Sequence, residues 1–310
     1  MPGEIPSLRA SGRVRRRKRV NRLMEALATL AAVVALGTLG LLVGSVLAKG
    51  LPALNLDLFT KNPVVFGESG GGLENAFVGS AILVGLATAI ALPFGVLVAI
   101  YLNEFARAGL ARLIRLALDV LNGVPSVVVG LFIFGLLVVG HGQSGYAGSI
   151  ALAVIMLPII ARSAQEVLSV VPRSLREASL ALGVSRWRTV IGIVLPSSLS
   201  GILTATSLAV ARAAGETAPL IFTSSIAGNA LNTDPGKALA SVPFAIFEYS
   251  EAPEPYKHSQ AWAAAFVLIA FVLLASLTAR LLLARSRRRL EGTTGRRPRL
   301  LRRLLAFGRP

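Results

Sequence analysis

Residues 177–196 read EASLALGVSRWRTVIGIVLP and place several charges between two long apolar runs. Ser174 and Glu177 have the spacing of a capping box, which predicts that a short helix begins there. Gly183 suits the left-handed conformation that ends a helix, and Ser185 suits the cap of a second short helix. The stretch therefore predicts two short helices joined by a turn, inserted between two membrane spans.

The apolar side chains of this stretch form a stripe. Leu175, Ala178 and Leu182 share one face of the first short helix, and Trp187 suits a membrane interface or the groove of a partner protein. The pattern by itself is typical of an amphipathic loop lying at a membrane surface. Docking onto a partner protein is the alternative, and the pattern alone favours the interfacial loop.

The rest of the chain is apolar enough to exclude a soluble domain. Hydrophobic residues make up 54% of the chain and charged residues 15%. A bilayer core requires about 20 apolar residues of helix. Runs of this length occur at 24–48, 76–102, 113–140, 147–170, 195–221 and 261–283. The sequence predicts an all-α polytopic membrane protein of about six transmembrane helices.

The basic residues divide this chain into a membrane domain and two tails. We interpret residues 1–23 and 285–310 as basic tails that flank a transmembrane domain at 24–284. Lys and Arg concentrate in the tails and beside residues 177–196, whereas the opposite loops are richer in Asp and Glu. Since basic flanks stay on the cytoplasmic side, both termini and this loop are predicted to be cytoplasmic. The net charge of +17 then reflects topology and contact with the lipid bilayer, not nucleic-acid binding.

The stretch 177–196 resembles the EAA loop of bacterial ABC-importer permeases. The residues that carry the resemblance are Glu177, Ala178, Gly183, Ile193, Leu195 and Pro196. Ser179 departs from the pattern, where the family has alanine. The resemblance implies the type I ABC-importer permease fold and a loop at about 173–196 that docks onto a separate ATPase. The coupling residues implied are Ser174, Glu177, Ala178, Gly183 and Trp187.

Ionisable residues within the apolar runs form a second pattern. Charges in lipid are costly, and so they face the protein interior or water. They occur in pairs four residues apart, a spacing at which two side chains can meet on one helical face. The pairs are Arg115 with Asp119, Arg162 with Glu166, and Arg212 with Glu216. Arg212 is predicted near the middle of its span, which favours a place on a transport pathway.

The segment around Arg212, AVARAAGETAPLIFTS at 209–224, resembles the A-type permeases of the Pst phosphate importers. The resemblance extends over about 73–283. It implies that inorganic phosphate is the substrate, with Arg212, Glu216, Arg162 and Thr217 as candidate binding residues. An arginine suits this anion because its planar fork donates two hydrogen bonds and remains charged.

The same resemblance implies the partners and the location. The expected partners are two copies of an ATP-binding subunit, a homologous C-type permease and an extracytoplasmic phosphate-binding protein. Residues 227–260 are the natural contact for the binding protein. The location implied is the bacterial inner membrane, with half of the translocation pore formed by this chain.

No enzymatic motif appears in the sequence. Gly70, Gly71 and Gly72 are not followed by the Lys-Ser or Lys-Thr of a phosphate-binding Walker A loop, so ATP hydrolysis is assigned to a partner. His141 and His258 are isolated, and no metal or cofactor is predicted. Two alternatives remain: a permease for another oxyanion such as sulfate or molybdate, or a secondary transporter or membrane scaffold that works without ATP.

Overall fold

The computed structural model describes residues 12–64 and 70–294, and within these ranges every regular element is helical. In chain order the helices are α1 Gly12–Ala53, α2 Asp57–Thr60, α3 Glu74–Ile100, α4 Ala108–Gly123, α5 Ser126–Ile133, α6 Gly145–Val170, α7 Arg173–Ala181, α8 Arg186–Thr189, α9 Leu195–Ala213, α10 Ala218–Thr223, α11 Val242–Glu251 and α12 Pro255–Thr294. Three turns of π-helix continue α3, α5 and α8, at Tyr101–Phe105, Phe134–Val138 and Val190–Val194.

Five helical segments in the described ranges are long and apolar enough to cross a membrane. They are Arg16–Ala53, Glu74–Phe105, Gly145–Val170, Arg186–Ala213 and Pro255–Thr278. A sixth crossing exists if the bent pair α4 and α5 counts as one span. The all-α polytopic fold is confirmed.

The third predicted run, 113–140, does not form one continuous helix. The chain instead forms α4 and α5, which meet at an angle of 98°. Pro125 precedes α5 with a φ of -57° and a ψ of 135°, which lies outside the helical range. Proline fixes its own backbone and disfavours helix in the residue before it, which explains why the helix breaks here.

The fifth predicted span, 195–221, is also wrong in both of its limits. The helix begins earlier, at Arg186, and ends at Ala213. A turn containing Gly215 follows, and Pro219 then lies in the first turn of the separate helix α10. Arg212 therefore lies in the last turn of its helix and not near the middle of a span.

The core of the molecule lies between α3 and α6, which pack along most of their length. The buried residues of α3 recur every four positions, at Leu83, Ala87, Ala91, Gly95 and Ala99. Small residues at this spacing let two helices approach closely, which is how membrane helices gain packing contacts in lipid. Helix α9 packs against α6 and also contacts α3, and α12 packs against α1 and α9.

The described parts of both predicted tails are helical. They continue α1 toward the N-terminus and α12 toward the C-terminus. Helix α1 begins at Gly12, and α12 continues to Thr294. The remaining basic residues of both tails lie outside the described ranges.

Candidate functional site

The loop at 173–196 forms the predicted helix, turn and helix. Gly183 has a φ of +78°, so it adopts the left-handed conformation expected after α7. The predicted capping box is wrong, because α7 begins at Arg173 with Pro172 in the capping position and no side-chain hydrogen bond there. Ser174 therefore lies inside the first turn, where its hydroxyl is no longer at the cap.

The second short helix does not stop after one or two turns. Ser185 precedes α8 as predicted, although its side chain makes no capping hydrogen bond. Helix α8 then runs through a π-helical turn into α9, so one helix extends from Arg186 to Ala213. The second half of the loop, from Arg186 onward, is consequently the beginning of a membrane span.

One face of this loop is open to a partner. The sequence-predicted coupling residues are all exposed, namely Ser174, Glu177, Ala178, Gly183 and Trp187. The apolar side chain of Leu182 at the tip of the turn is 83% exposed. An exposed apolar tip beside a carboxylate provides both packing and charge for a protein contact.

The opposite face of the loop is held by a buried hydrogen bond. The hydroxyl groups of Ser179 on α7 and Thr189 on α8 lie 2.9 Å apart. The backbone amide of Val184 also donates to the carbonyl of Ser179 at 3.2 Å. The residue that departs from the EAA pattern thus joins the two halves of the loop.

Arg176 anchors α7 to the rest of the molecule, a role that sequence reasoning missed. Its Nε donates to Glu104 Oε1 at 3.0 Å, and its Nη2 lies 2.9 Å from the same oxygen. Nη1 and Nη2 also donate to the backbone carbonyls of Val171, at 2.6 Å, and Leu168, at 2.9 Å. The side chains of Arg176 and Glu104 are only 16% and 13% exposed.

Two of the three predicted ion pairs within single helices are wrong. Arg162 donates instead to Asp119 on α4, and Arg115 faces Gln165, whose amide oxygen can accept from Arg115 Nε at 3.1 Å. Helix α4 packs on α6, which brings Asp119 within reach of a neighbouring helix. The partner of Arg162 therefore comes from across a helix interface.

The third pair, Arg212 with Glu216, is confirmed as a loose contact. Arg212 Nε lies 3.8 Å from Glu216 Oε1, and their side chains are 62% and 17% exposed. Glu216 lies in the turn after α9, where its backbone amide donates to Ala213. Thr217 follows immediately, and its backbone carbonyl accepts from Leu220 and Ile221 at the start of α10.

Arg162 and Arg212 line the same cavity, which has a volume of about 540 Å³. The cavity lies between α6, α9, α12 and the end of α4. Its lining consists of Asn122, Pro158, Ile159, Arg162, Ser163, Leu208, Ala211, Arg212, Val272 and Ser276. Among these described residues the charged groups are two guanidinium cations, while hydroxyl and amide groups supply further hydrogen bonds. Such a lining suits an oxyanion. Glu216 and Thr217 are not in this set.

A separate group of elements builds the face at the other end of the spans. Helix α11 packs with α12 and the start of α3 in a cluster that includes Leu58, Leu73 and Tyr249. Burial, followed by the charge of Glu248, raises the pKa of Tyr249 to about 12, so its hydroxyl stays protonated. The predicted contact segment 227–260 contains α11 and lies on this face.

The chain matches known proteins over most of its length. Residues 91–291 match the family model described as "Binding-protein-dependent transport system inner membrane component". The phosphate transport system permease protein PstA of Haemophilus influenzae is 39% identical, with 86% of this chain and 94% of the relative covered. The protein of the same name from Yersinia pestis is 39% identical, with 87% and 92% covered.

A solved structure has the same fold. A chain of the MetNI methionine ABC transporter, in inward-facing conformations, superposes with a TM-score of 0.53 at 19% identity, covering 68% of this chain and 94% of that one. The fold is that of type I ABC-importer permeases. The chain belongs to the family of binding-protein-dependent transport system inner membrane components and, within it, to the PstA phosphate transport system permease proteins.

Proposed function

We propose that this chain is the permease subunit of an ATP-driven importer of inorganic phosphate, in which Arg162 and Arg212 bind the anion during its passage. The observation that carries the proposal is the cavity lined by both arginines. Membership of the PstA family gives the substrate. The chain is a multi-pass transport subunit of the inner membrane and not an enzyme, and ATP hydrolysis belongs to a partner.

The anion site works by exchanging counter-ions. Phosphate loses most of its water on entering the membrane, and guanidinium groups replace part of that hydration. Asp119 and Glu216 neutralise the two arginines when no anion is present. Because Glu216 holds Arg212 only loosely, phosphate displaces it readily. Thr217 serves as a further hydroxyl donor if the turn after α9 moves toward the cavity.

The coupling loop connects the ATPase to this cavity by direct chain continuity. Helix α6 carries Arg162 and leads into the loop, and the loop leads into the helix that carries Arg212. A partner that moves the loop therefore shifts both arginines relative to each other. Ser174, Glu177, Ala178, Gly183 and Trp187 form the surface onto which the ATPase docks.

In the proposed importer, this chain forms one half of the translocation pore. A C-type permease supplies the other half, and two ATPase subunits bind below, one on each coupling loop. The extracytoplasmic phosphate-binding protein contacts the face built by residues 227–260. The basic flanks support cytoplasmic positions for the coupling loop and both termini.

The test is ATP hydrolysis by the copurified complex in liposomes, with the external binding protein and either phosphate, sulfate or molybdate. Stimulation by phosphate alone is expected. Stimulation by sulfate or molybdate instead would contradict the substrate while preserving the ABC permease. A chain that copurifies with no ATPase would contradict the importer.

A further inference from the structure

We infer that the ion pair between Arg176 and Glu104 transmits movement of the coupling loop to the second span, and is required for transport but not for docking of the ATPase. The inference rests on the proposed coupling role of the loop. Chain continuity already connects the loop to α6 and to α9. The ion pair adds a connection to the second span, Glu74–Phe105, which does not flank the loop.

Three helical segments meet at the guanidinium of Arg176. Arg176 lies on α7, and it donates to the carbonyls of Leu168 in the last turn of α6 and of Val171 just after it. It also donates to Glu104 at the end of the second span. The last carbonyls of a helix lack regular partners within the helix, and the arginine supplies donors to the carbonyls at this end of α6. Its position is fixed by contacts in three directions.

Glu104 lies in a distorted turn at the end of the second span. Tyr101–Phe105 forms a turn of π-helix at the end of the second span. Such turns are inserted in regular helices mostly as single distortions and are frequent at functional sites. Asn103 Nδ2 donates to Glu104 Oε1 at 3.0 Å, which further fixes the carboxylate that accepts from Arg176.

The same π-helical turn also contacts the other half of the loop. The ring of Phe105 lies 6.1 Å from the ring of Trp187 on α8, measured between centroids. Glu104 thus contacts α7 and Phe105 contacts α8. Because both halves of the loop contact the turn Tyr101–Phe105, rotation of the loop displaces the second span.

The consequence for transport follows from the packing of that span. The second span packs along α6, which carries Arg162. If α7 moved without the second span, α6 would have to slide against its main packing partner. The ion pair makes the two helices move together, so ATP binding changes the cavity instead of bending the loop alone.

The test compares Arg176→Gln and Glu104→Gln with the unmodified chain in the reconstituted complex. We measure retention of the ATPase subunit, ATP hydrolysis without binding protein, and phosphate taken up per ATP hydrolysed. Both variants are expected to retain the ATPase and its unstimulated hydrolysis, and to lose about ten-fold in uptake per ATP, as the loss of one charged hydrogen bond predicts. The double variant should be no worse than either single one, because both remove one interaction.

Two further variants complete the experiment. Arg107→Gln, at an exposed position on the same end of the second span, removes a positive charge without touching the ion pair and should leave the uptake ratio unchanged. Glu104→Asp keeps the charge and shortens its reach, so it gives the same test if Arg176→Gln does not reach the membrane.

The outcomes separate the inference from the proposed function. An unchanged uptake ratio in Arg176→Gln or Glu104→Asp would overturn the inference, as would loss of the ATPase subunit from both variants, since the pair would then serve docking. If the unmodified chain retained no ATPase, the proposed function would fail and the inference with it.

Discussion

The hydroxyl groups of Ser179 on α7 and Thr189 on α8 share one buried hydrogen bond between these two helices, with the oxygens 2.9 Å apart. Thr189 Oγ1 also lies 3.2 Å from the carbonyl of Ser185. The threonine hydroxyl therefore has a second partner if the serine is removed. We therefore expect the loop to tolerate alanine at 179, the residue typical of the EAA pattern, better than any larger residue.

Replacement of Ser179 tests this relationship. Ser179→Ala should lower the free energy of unfolding by about 1 kcal/mol, the usual worth of one hydrogen bond. Ser179→Leu should cost about 1–3 kcal/mol because the site is buried and filled. The thermal denaturation midpoint of the purified protein in detergent measures both. Ser174→Ala on the exposed face of α7 is the control, and an equal loss there would contradict the prediction.

Gly183 permits a second test of the loop. A side chain at a φ of +78° costs roughly 1 kcal/mol, although a Cβ at this position would meet no atom within 4 Å. Gly183→Val should therefore weaken retention of the ATPase subunit more than Gly183→Asn, since asparagine tolerates this conformation. Gly192→Ala, where a Cβ also meets open space and φ is ordinary, should retain the ATPase fully. Equal retention by Gly183→Val and Gly192→Ala would refute the argument from backbone strain.

The packing of α3 on α6 predicts opposite effects at two glycines of one helix. A Cβ at Gly95 would lie 2.8 Å from Ile160 Cγ2, so Gly95→Ala should force the helices apart and destabilise the protein by about 1–3 kcal/mol. A Cβ at Gly85 would meet nothing within 4 Å, and Gly85→Ala should stabilise by about 0.5–1 kcal/mol. Denaturation midpoints in detergent that shift in the same direction would contradict this account.

Arg212 is predicted to be essential for uptake. Arg212→Ala in normally inserted protein should reduce phosphate uptake by about 10- to 100-fold, the worth of a charged hydrogen bond. Arg212→Lys should recover part of the activity, because it keeps the charge but not the fork. The control is Arg112→Gln on α4, which lines a different cavity. Unchanged uptake by Arg212→Ala would remove Arg212 from the transport pathway.

Glu216 is predicted to compete with the anion. Glu216→Gln removes the carboxylate that lies 3.8 Å from Arg212 Nε, so the anion should bind more tightly and leave more slowly. The expected result in uptake assays is a lower KM for phosphate together with a lower maximal rate. A higher KM would mean that Glu216 positions Arg212 for the anion and does not compete with it.

The sequence predicts the spans well wherever a run forms one straight helix. Lipid leaves backbone groups no partner outside a helix, so a long apolar run at 76–102 or 147–170 has little choice of structure. The run at 113–140 contains Pro125, which marks a break but not its angle. The bend of 98° is set by the packing of α4 on α6 and of α5 on α10, contacts between segments distant in sequence.

The sequence predicts ionic contacts less well. Spacing by four residues describes a helix in isolation, whereas Arg162 contacts Asp119 across a helix interface. Arg176 resembles any other arginine of the basic loops in the sequence. The signal that could have revealed it is Glu104, a lone acidic residue among basic ones at the end of the second span. Such an isolated carboxylate needs a basic partner if it is buried.

The continuous helix from Arg186 to Ala213 has a mechanical consequence. It contains 28 residues, and at a rise of 1.5 Å per residue it is about 42 Å long. A tilt of only about 5° at the loop then displaces the opposite end of the helix by roughly 4 Å. This displacement is larger than the donor–acceptor distance of a hydrogen bond. Arg212 lies one residue from that far end. In the proposed mechanism, a small rotation of the loop therefore moves Arg212 far enough to make or break a hydrogen bond to the anion.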